Sequence, residues 1–291
     1  MSPPLAQPRI RGPRVDVVWL TLLAIPLLVV ASWAYIVTTQ AGGGLAELVS
    51  QQTWDELSLL LRRLLGLEDA AGLRPAYLEP ARWSEIAGLA YETLAMSVLA
   101  IGIATLGMLA TVVPGARSLA DEGVARPSRA LRNAGFALVR TLWIVTRAVP
   151  ELVWALLIVF VFQQGMLAGA IALGVHNFGI LGRLCAEVVE DLDHRPARAL
   201  RAAGAGRQQL LFYGLLPQVL PQFLTYILYR WEVVIRTTII VGFVSAGGLG
   251  REFRLAMSFF HWTDVALILA VYFLLVLAVD AASSALRRLA R

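Results

Sequence analysis

The chain has 291 residues, of which 58% are hydrophobic and only 15% are charged, and its formal net charge is +5. Water-soluble domains carry about 25% charged residues, so this composition favours a protein that has lipid around it. All 25 basic residues are arginine, which excludes a standard Walker A loop and a lysine Schiff base, because both need a lysine. Cys185 is the single cysteine and the three histidines are scattered, so the sequence lacks the spacing of a disulfide framework or a metal site.

The N-terminal part contains one long apolar run between two polar stretches. Residues 1–14 are predicted to form a cytoplasmic tail and residues 15–38 the first transmembrane helix. A secretory signal also begins with basic residues, but the length of this run and the lack of a small-residue cleavage site favour the helix. Residues 39–85 are predicted to be an external segment. Apolar residues at helical spacing between Leu45 and Leu65 indicate an amphipathic helix at the membrane interface.

The rest of the chain, residues 86–286, alternates between long apolar segments and short polar connections. The apolar segments cover roughly 86–113, 136–162, 165–186, 218–245 and 263–286, and a C-terminal tail, 287–291, follows them. Each is long enough to cross a bilayer, so we expect an all-α polytopic membrane protein with about six transmembrane helices. In the fourth span, Gly165 and Gly169 form a small-xxx-small pair, which favours close packing inside the chain over a subunit interface.

The arginines are distributed unevenly between the two sides of this topology. If the N-terminus is cytoplasmic, the cytoplasmic tails and loops carry 14 arginines and the external segments carry 6. Basic residues concentrate on the cytoplasmic side, so both termini and the loop 187–217 are predicted to lie inside the cell. The same short basic blocks between apolar segments argue for a multi-pass membrane protein and against a nucleic-acid partner.

The loop 187–217 contains a short helical pattern that a glycine closes. Pro196 suits the first helical position, and Gly204 suits the residue just past the end. One face of the two turns between them carries Ala199, Leu200 and Ala203, while Arg198 and Arg201 point elsewhere. Because a two-turn helix is unstable alone in water, this segment is either docked on a partner or an ordinary loop. The spacing leaves both possibilities open.

This loop resembles the cytoplasmic coupling motif of ABC importer permeases, which reads Glu-Ala-Ala, three residues, Gly, nine residues, Ile-x-Leu-Pro. The residues that match it in register are Ala199, Gly204, Leu216 and Pro217. The residues that depart from it are Arg198 in place of Glu, Leu200 in place of the second Ala, and Gly214 in place of Ile. The charge reversal at Arg198 puts any salt bridge at that position in doubt.

Four further segments are similar to the permeases of phosphonate and phosphite importers. They are Arg147–Leu156, Leu216–Gln222, Tyr229–Glu232 and Gly247–Gly250. The similarity covers most of residues 84–286. It implies a five-helix type I importer permease core, MetI-like, that pairs with a second copy or a paralogue. It also implies two ATP-binding subunits as partners and an external substrate-binding protein that delivers a phosphonate or phosphite.

The same resemblance implies a transport subunit with no ATPase site and no bound cofactor of its own, since the partner ATPase uses ATP-Mg. Three alternatives remain at this level: a permease for another small solute, a secondary carrier or channel, and an intramembrane enzyme. A carrier or channel needs no docked cytoplasmic helix. A rhomboid-type protease needs a Gly-x-Ser nucleophile, and Ser245 lacks the preceding glycine pattern.

Charged residues inside the predicted spans form a candidate translocation path. They are Arg147, Glu151, Arg230, Glu232 and Arg236. Helical spacing predicts that Arg147 pairs with Glu151 and that Glu232 pairs with Arg236. A charge at the bilayer centre costs about 3 kcal/mol or more, so these residues are expected to form structural pairs or to line a cationic path for an anion.

The glycine-rich run Gly247–Gly250 is predicted to break the backbone where the fifth span ends. It is a weak nucleotide motif, because no strand precedes it and no lysine follows it.

The topology can be tested by cysteine accessibility labelling. Cysteines that replace Arg207 and Arg74 should react with impermeant reagents from opposite sides of the membrane, because the six-span model places these positions in a cytoplasmic loop and in the external segment. Labelling of both from the same side would contradict the model.

Overall fold

The computed structural model describes residues 17–39, 50–67, 74–116, 129–193 and 195–289. The regular structure in these ranges is helical, with one 3₁₀ turn, Ala76–Leu78, and two π-helical turns, Leu210–Leu215 and Gly242–Ala246. The longer helices are α1 Val17–Thr39, α2 Gln51–Leu64, α3 Pro80–Gly115, α4 Arg129–Ala148 and α5 Glu151–Phe162. They continue with α6 Met166–Glu190, α7 Arg195–Ala202, α8 Leu216–Val241, α9 Gly248–Ser258 and α10 Trp262–Leu289.

The chain divides into two compact units, residues 1–62 and residues 63–291. In the first unit, α1 is apolar on all sides, and its large side chains, such as Leu23 and Leu27, are exposed, as expected of a helix in lipid. Helix α2 is strongly amphipathic, and Trp54, Leu57 and Leu61 are exposed along one face. The predicted helix is therefore confirmed from Gln51 onwards, while residues 40–49 lie outside the described residues. Its place at the membrane interface stays a prediction.

The number of spans agrees with the sequence. Among the described residues, α1, α3, α6 and α10 are each long and apolar enough to cross a membrane, and the count reaches six if each of two bent helix pairs is one span. These pairs are α4 with α5 and α8 with α9. Helix α10 continues to Leu289, so Arg287 belongs to the last helix and not to the C-terminal tail in which the sequence placed it.

The third predicted span, 136–162, is not continuous. Helix α4 ends at Ala148, α5 begins at Glu151, and their axes differ by 96°. Pro150 causes the break, because proline lacks a backbone N–H and disfavours helical geometry in the residue before it, here Val149. A second break follows α8, where Gly247 and Gly248 have φ values of +90° and +64°. Only glycine adopts such values freely, so the backbone break predicted at this run is confirmed.

The core of the second unit depends on small residues in α6. Helix α6 packs along α3 and also contacts α4 and α5. Trp143 of α4 is 1% exposed, and its ring fills the space that side chains at Gly115 and Gly182 would need. Gly169 likewise lies against Met96. The glycines of α6 thus serve close packing within the chain. This confirms the prediction for Gly169 but not for Gly165, which precedes α6 and where an added side chain would meet nothing within 4 Å.

Polar side chains join the ends of the helices in this unit. At one end, Arg82 of α3 forms an ion pair of 2.5 Å with Asp264, near the start of α10. At the other end, Arg140 of α4 donates to the carbonyl oxygen of Gly115 at 3.0 Å and to Glu190 at 2.6 Å. These contacts hold the helices together at two separate levels of the bundle.

Candidate functional site

Helix α7 ends in the way that its glycine predicts. Gly204 has φ +85°, its N–H donates to the carbonyl of Arg201, and the N–H of Ala205 donates to the carbonyl of Leu200, each at 3.0 Å. This is the Schellman arrangement, in which a left-handed residue satisfies the last carbonyls of a helix. The loop therefore holds a defined helix of eight residues, Arg195–Ala202.

Helix α7 packs against the π-helical turn Leu210–Leu215 through a different face from the one the sequence suggested. Ala197 is 1% exposed, and Leu200 is half-buried. Ala199 and Ala203, which were expected to share a face with Leu200, are exposed together with Arg198 and Arg201. The reason is geometric: Ala197 and Leu200 are three residues apart and face the turn, whereas Ala199 and Ala203 lie on another side.

Two departures from the coupling motif meet in this contact. A side-chain carbon built at Gly214 lies 3.2 Å from Cδ1 of Leu200 and 3.6 Å from Cα of Ala197. Leu200 is larger than the alanine of the motif, and Gly214 is smaller than its isoleucine. The larger residue occupies the space that the smaller one leaves. After this turn, α8 begins at Leu216, so Pro217 opens the next helix as the sequence predicted.

The two charge pairs expected along single helices do not form. In the case of Glu232 and Arg236, both residues reach across to α10. Glu232 is 9% exposed and pairs with Arg287, which also donates to Ser283 at 2.6 Å. Arg236 donates to both carboxylate oxygens of Asp280, at 2.7 and 2.9 Å. Glu232 and Arg236 are therefore each neutralised by a residue of α10. These partners on the neighbouring helix replace the pairing between Glu232 and Arg236 along α8 itself.

The break at Pro150 separates the other expected pair, Arg147 and Glu151. Glu151 lies 3.3 Å from Nε2 of His176 on α6. Nδ1 of the same ring lies 2.9 Å from the carbonyl oxygen of Val149. His176 thus bridges the exposed end of α4 and the first residue of α5. No carboxylate of the described residues pairs with Arg147, which is half-buried at the end of α4.

Arg230 of α8 points to the same region of α6. Its guanidinium donates from Nε and from one terminal nitrogen to Oδ1 of Asn177, at 3.0 and 2.5 Å. Asn177 is 2% exposed, and its amide group donates to the carbonyl oxygen of Leu173 at 2.7 Å. A polar cluster around α6 is thus formed by Glu151, His176, Asn177 and Arg230.

The chain also supplies partners for two of the carbonyl groups at the break. Trp154 donates from its indole N–H to the carbonyl oxygen of Thr146 at 3.0 Å. Nδ1 of His176 forms a hydrogen bond with the carbonyl oxygen of Val149. Irregular backbone at membrane depth is tolerated where protein groups replace the missing hydrogen bonds, and this break meets that condition.

A family model described as "Binding-protein-dependent transport system inner membrane component" matches residues 123–291, more than half of the chain. The chain belongs to this family. It is 37% identical over 197 residues to the phosphite transport system permease protein PtxC of Stutzerimonas stutzeri, and the match covers 68% of each protein. It is 28% identical over 235 residues to the phosphate-import permease protein PhnE of Mycolicibacterium smegmatis (strain ATCC 700084 / mc(2)155), covering 81% of this chain and 40% of that protein.

The fold has solved counterparts among ABC transporters. A structure of the MetNI methionine ABC transporter in an inward-facing conformation superposes with a TM-score of 0.59 over 73% of this chain and 99% of that chain. The sequence identity is 22%, so this likeness concerns the fold alone. The expected all-α polytopic fold with a MetI-like core is thereby confirmed. As a member of this family, the chain is a transport permease subunit of the inner membrane.

The residues of this permease that sequence reasoning missed are those which complete the charged groups. Asp280 and Arg287 lie outside the set of charged residues that the sequence singled out, and Asn177 carried no sequence signal because a single amide in an apolar helix is usually a packing residue. Pro150 was the signal that would have separated Arg147 from Glu151, since a proline between two residues ends the helix that would bring them together.

The contact between Leu200 and Gly214 gives a test of how α7 is held. Gly214→Ile should overpack it and loosen α7 by about 1–3 kcal/mol, and Leu200→Ala should loosen it by removing the contact. The double variant should recover much of the loss, because the motif's own pair of sizes is then restored. The rate of limited trypsin cleavage after Arg198 and Arg201 reports local opening. Cleavage in the double variant as fast as the two single effects combined would contradict the exchange of sizes.

Proposed function

We propose that this permease translocates a phosphonate or a related phosphorus oxyanion such as phosphite across the inner membrane. In this proposal an external binding protein delivers the anion, and two ATP-binding subunits hydrolyse ATP-Mg, so the chain binds no cofactor. Support for the cargo comes from the relatives, whose names refer to phosphite transport and phosphate import. A second copy of the chain or a paralogue completes the membrane part, and both termini lie in the cytoplasm, as the arginine bias predicts.

The observation that carries the proposal is the state of helix α7. One side of this helix is fixed to its own chain through Ala197 and Leu200. The other side exposes Ala199 and Ala203, two small side chains that leave room for the wall of a groove on a partner. A two-turn helix that is closed by a cap and half-docked is a defined surface for a cytoplasmic subunit. A secondary carrier or channel has no need of such a surface.

The cargo assignment can be tested with the complete transporter in vesicles. ATP-dependent uptake of labelled phosphite and of a simple alkylphosphonate should exceed that of methionine when the cognate binding protein is present. Methionine is the appropriate negative control, because the methionine importer shares the fold but only 22% of the sequence. Equal uptake of all three, or uptake of none, would contradict the proposed cargo.

The coupling role of α7 can be tested at its cap. Gly204→Val should weaken the helix end, because a β-branched residue in the left-handed region costs about 1–2 kcal/mol or more. We expect ATP hydrolysis stimulated by the liganded binding protein to fall about tenfold, while the subunit still inserts in the membrane.

The matched control is Gly206→Val. Gly206 lies two residues further on, and a side-chain carbon there would meet nothing closer than 3.6 Å, so this variant should keep coupled hydrolysis close to that of the wild type. Normal coupled turnover in Gly204→Val, or an equal loss in both variants, would count against α7 as the coupling helix.

A further inference from the structure

The arginines inside the spans differ in the partners that hold them. Arg236 is held by both oxygens of a carboxylate, and Arg287 by the carboxylate of Glu232, so each of these charges is cancelled locally. Arg230 is held by an amide. The amide oxygen of Asn177 accepts two hydrogen bonds from Arg230. These bonds fix the position of the guanidinium, as a carboxylate would, but the amide adds no negative charge.

Asn177 is well placed to do this. It is almost completely buried, and the N–H that it donates to the carbonyl of Leu173 fixes the orientation of its amide, so that the oxygen faces Arg230. This helical bond runs along α6 itself and leaves the oxygen free for the arginine. The position of Arg230 therefore depends on a neutral group that has no other acceptor role among the described residues.

The nearby carboxylate does not remove the surplus charge. Glu151 is in contact with His176, whose other ring nitrogen faces the carbonyl of Val149. The region also includes Arg147, which no carboxylate of the described part of the chain pairs with. The region therefore holds two arginines, Arg147 and Arg230, and one carboxylate, Glu151, and it retains a positive charge.

An uncompensated charge in a membrane span is expensive, and such residues face protein or water and mark the paths of ions and substrates. An amide partner would be a poor choice if Arg230 had only a structural role, since a carboxylate would stabilise the same geometry and cancel the charge. The chain uses that solution for Arg236, on the same helix.

We propose that Asn177 is a positioning residue which holds Arg230 in place without neutralising it, so that the surplus positive charge of Arg230 is available to a phosphorus oxyanion during translocation. This inference rests on the proposed function, because it needs an anionic cargo. It assigns the anion preference of the membrane subunit to Arg230, separately from the selectivity of the external binding protein.

The test is Asn177→Asp, which keeps the shape of the side chain and adds the missing negative charge. The variant should be as stable as the wild type or more stable on heating in detergent, because the arginine gains a charged partner. Its ATP-dependent uptake of phosphite or alkylphosphonate should fall at least about tenfold, since a charge pair at contact distance is worth about 4 kcal/mol at an effective dielectric constant of 20. ATP hydrolysis stimulated by the liganded binding protein should persist, which separates a defect in the path from a defect in coupling.

Two further variants keep the inference testable if Asn177→Asp folds poorly. Asn177→Ser retains a neutral acceptor and should keep more uptake than Asn177→Asp. Arg230→Gln removes the charge from the other partner and should lose uptake to a similar extent. The matched control is the double variant Arg183→Gln with Glu187→Gln, which removes an ion pair from α6, the helix that carries Asn177, and should leave uptake near that of the wild type.

The outcomes distinguish this inference from the proposed function. Stable Asn177→Asp or Arg230→Gln protein with full uptake of the phosphorus oxyanion would overturn the role of Arg230 and leave the proposed cargo intact. Failure of the wild type itself to take up any phosphorus oxyanion would instead overturn the cargo. A purely structural role for Asn177 predicts that stability and uptake change together, whereas the proposal predicts that they separate.

Discussion

The constraint on which the structure depends is that a bilayer interior offers no water to a polar group. A backbone carbonyl or a charge inside the spans must therefore be satisfied by the protein or face a water-filled cavity. The break between α4 and α5 shows the rule at the level of the backbone. Pro150 leaves carbonyl groups free, and Trp154 and His176 supply the hydrogen bonds that water would otherwise provide. The 96° bend is possible because α6 brings a ring to the point where the helix ends.

The same constraint separates two kinds of arginine on α8. Arg236 forms an ion pair with the carboxylate of Asp280 on α10, which neutralises the positive charge of the arginine. Arg230 is stabilised by the geometry of an amide and keeps its charge. The difference cannot be read from spacing along the chain, because both residues lie in the same apolar helix and both have Glu232 within about one turn. It appears only when the neighbouring helices are known.

This limit explains how much of the protein the sequence predicts. Hydropathy and the arginine bias depend on composition, so the number of spans and the fold class follow from the sequence alone. The cap at Gly204 and the break at Gly247 were also predictable, because the backbone conformation of glycine is a local property. The partners of Glu151, Glu232 and Arg236 were predicted wrongly. Each of them interacts with a residue from 25 to 55 positions away in the chain, where helix periodicity gives no information.

Helix α8 connects the turn beneath α7 to the region around Arg230. It starts at Leu216, directly after the turn on which α7 rests, and carries Arg230 fourteen residues further on, a distance of about 20 Å along a helix. The contact of Ala197 and Leu200 with Gly214 therefore places α7, the proposed coupling helix, at one end of an element whose middle holds Arg230. The ion pairs of Glu232 and Arg236 join this middle part to α10. A displacement imposed on α7 by a cytoplasmic partner would reach Arg230 through a continuous helix. If α8 then moved relative to α6, the hydrogen bonds between Asn177 and the guanidinium would break.

In this arrangement a neutral partner has a second advantage over a carboxylate. An amide releases an arginine at a smaller cost than an ion pair does in the same low-dielectric surroundings, so the contact suits a position that has to open and close.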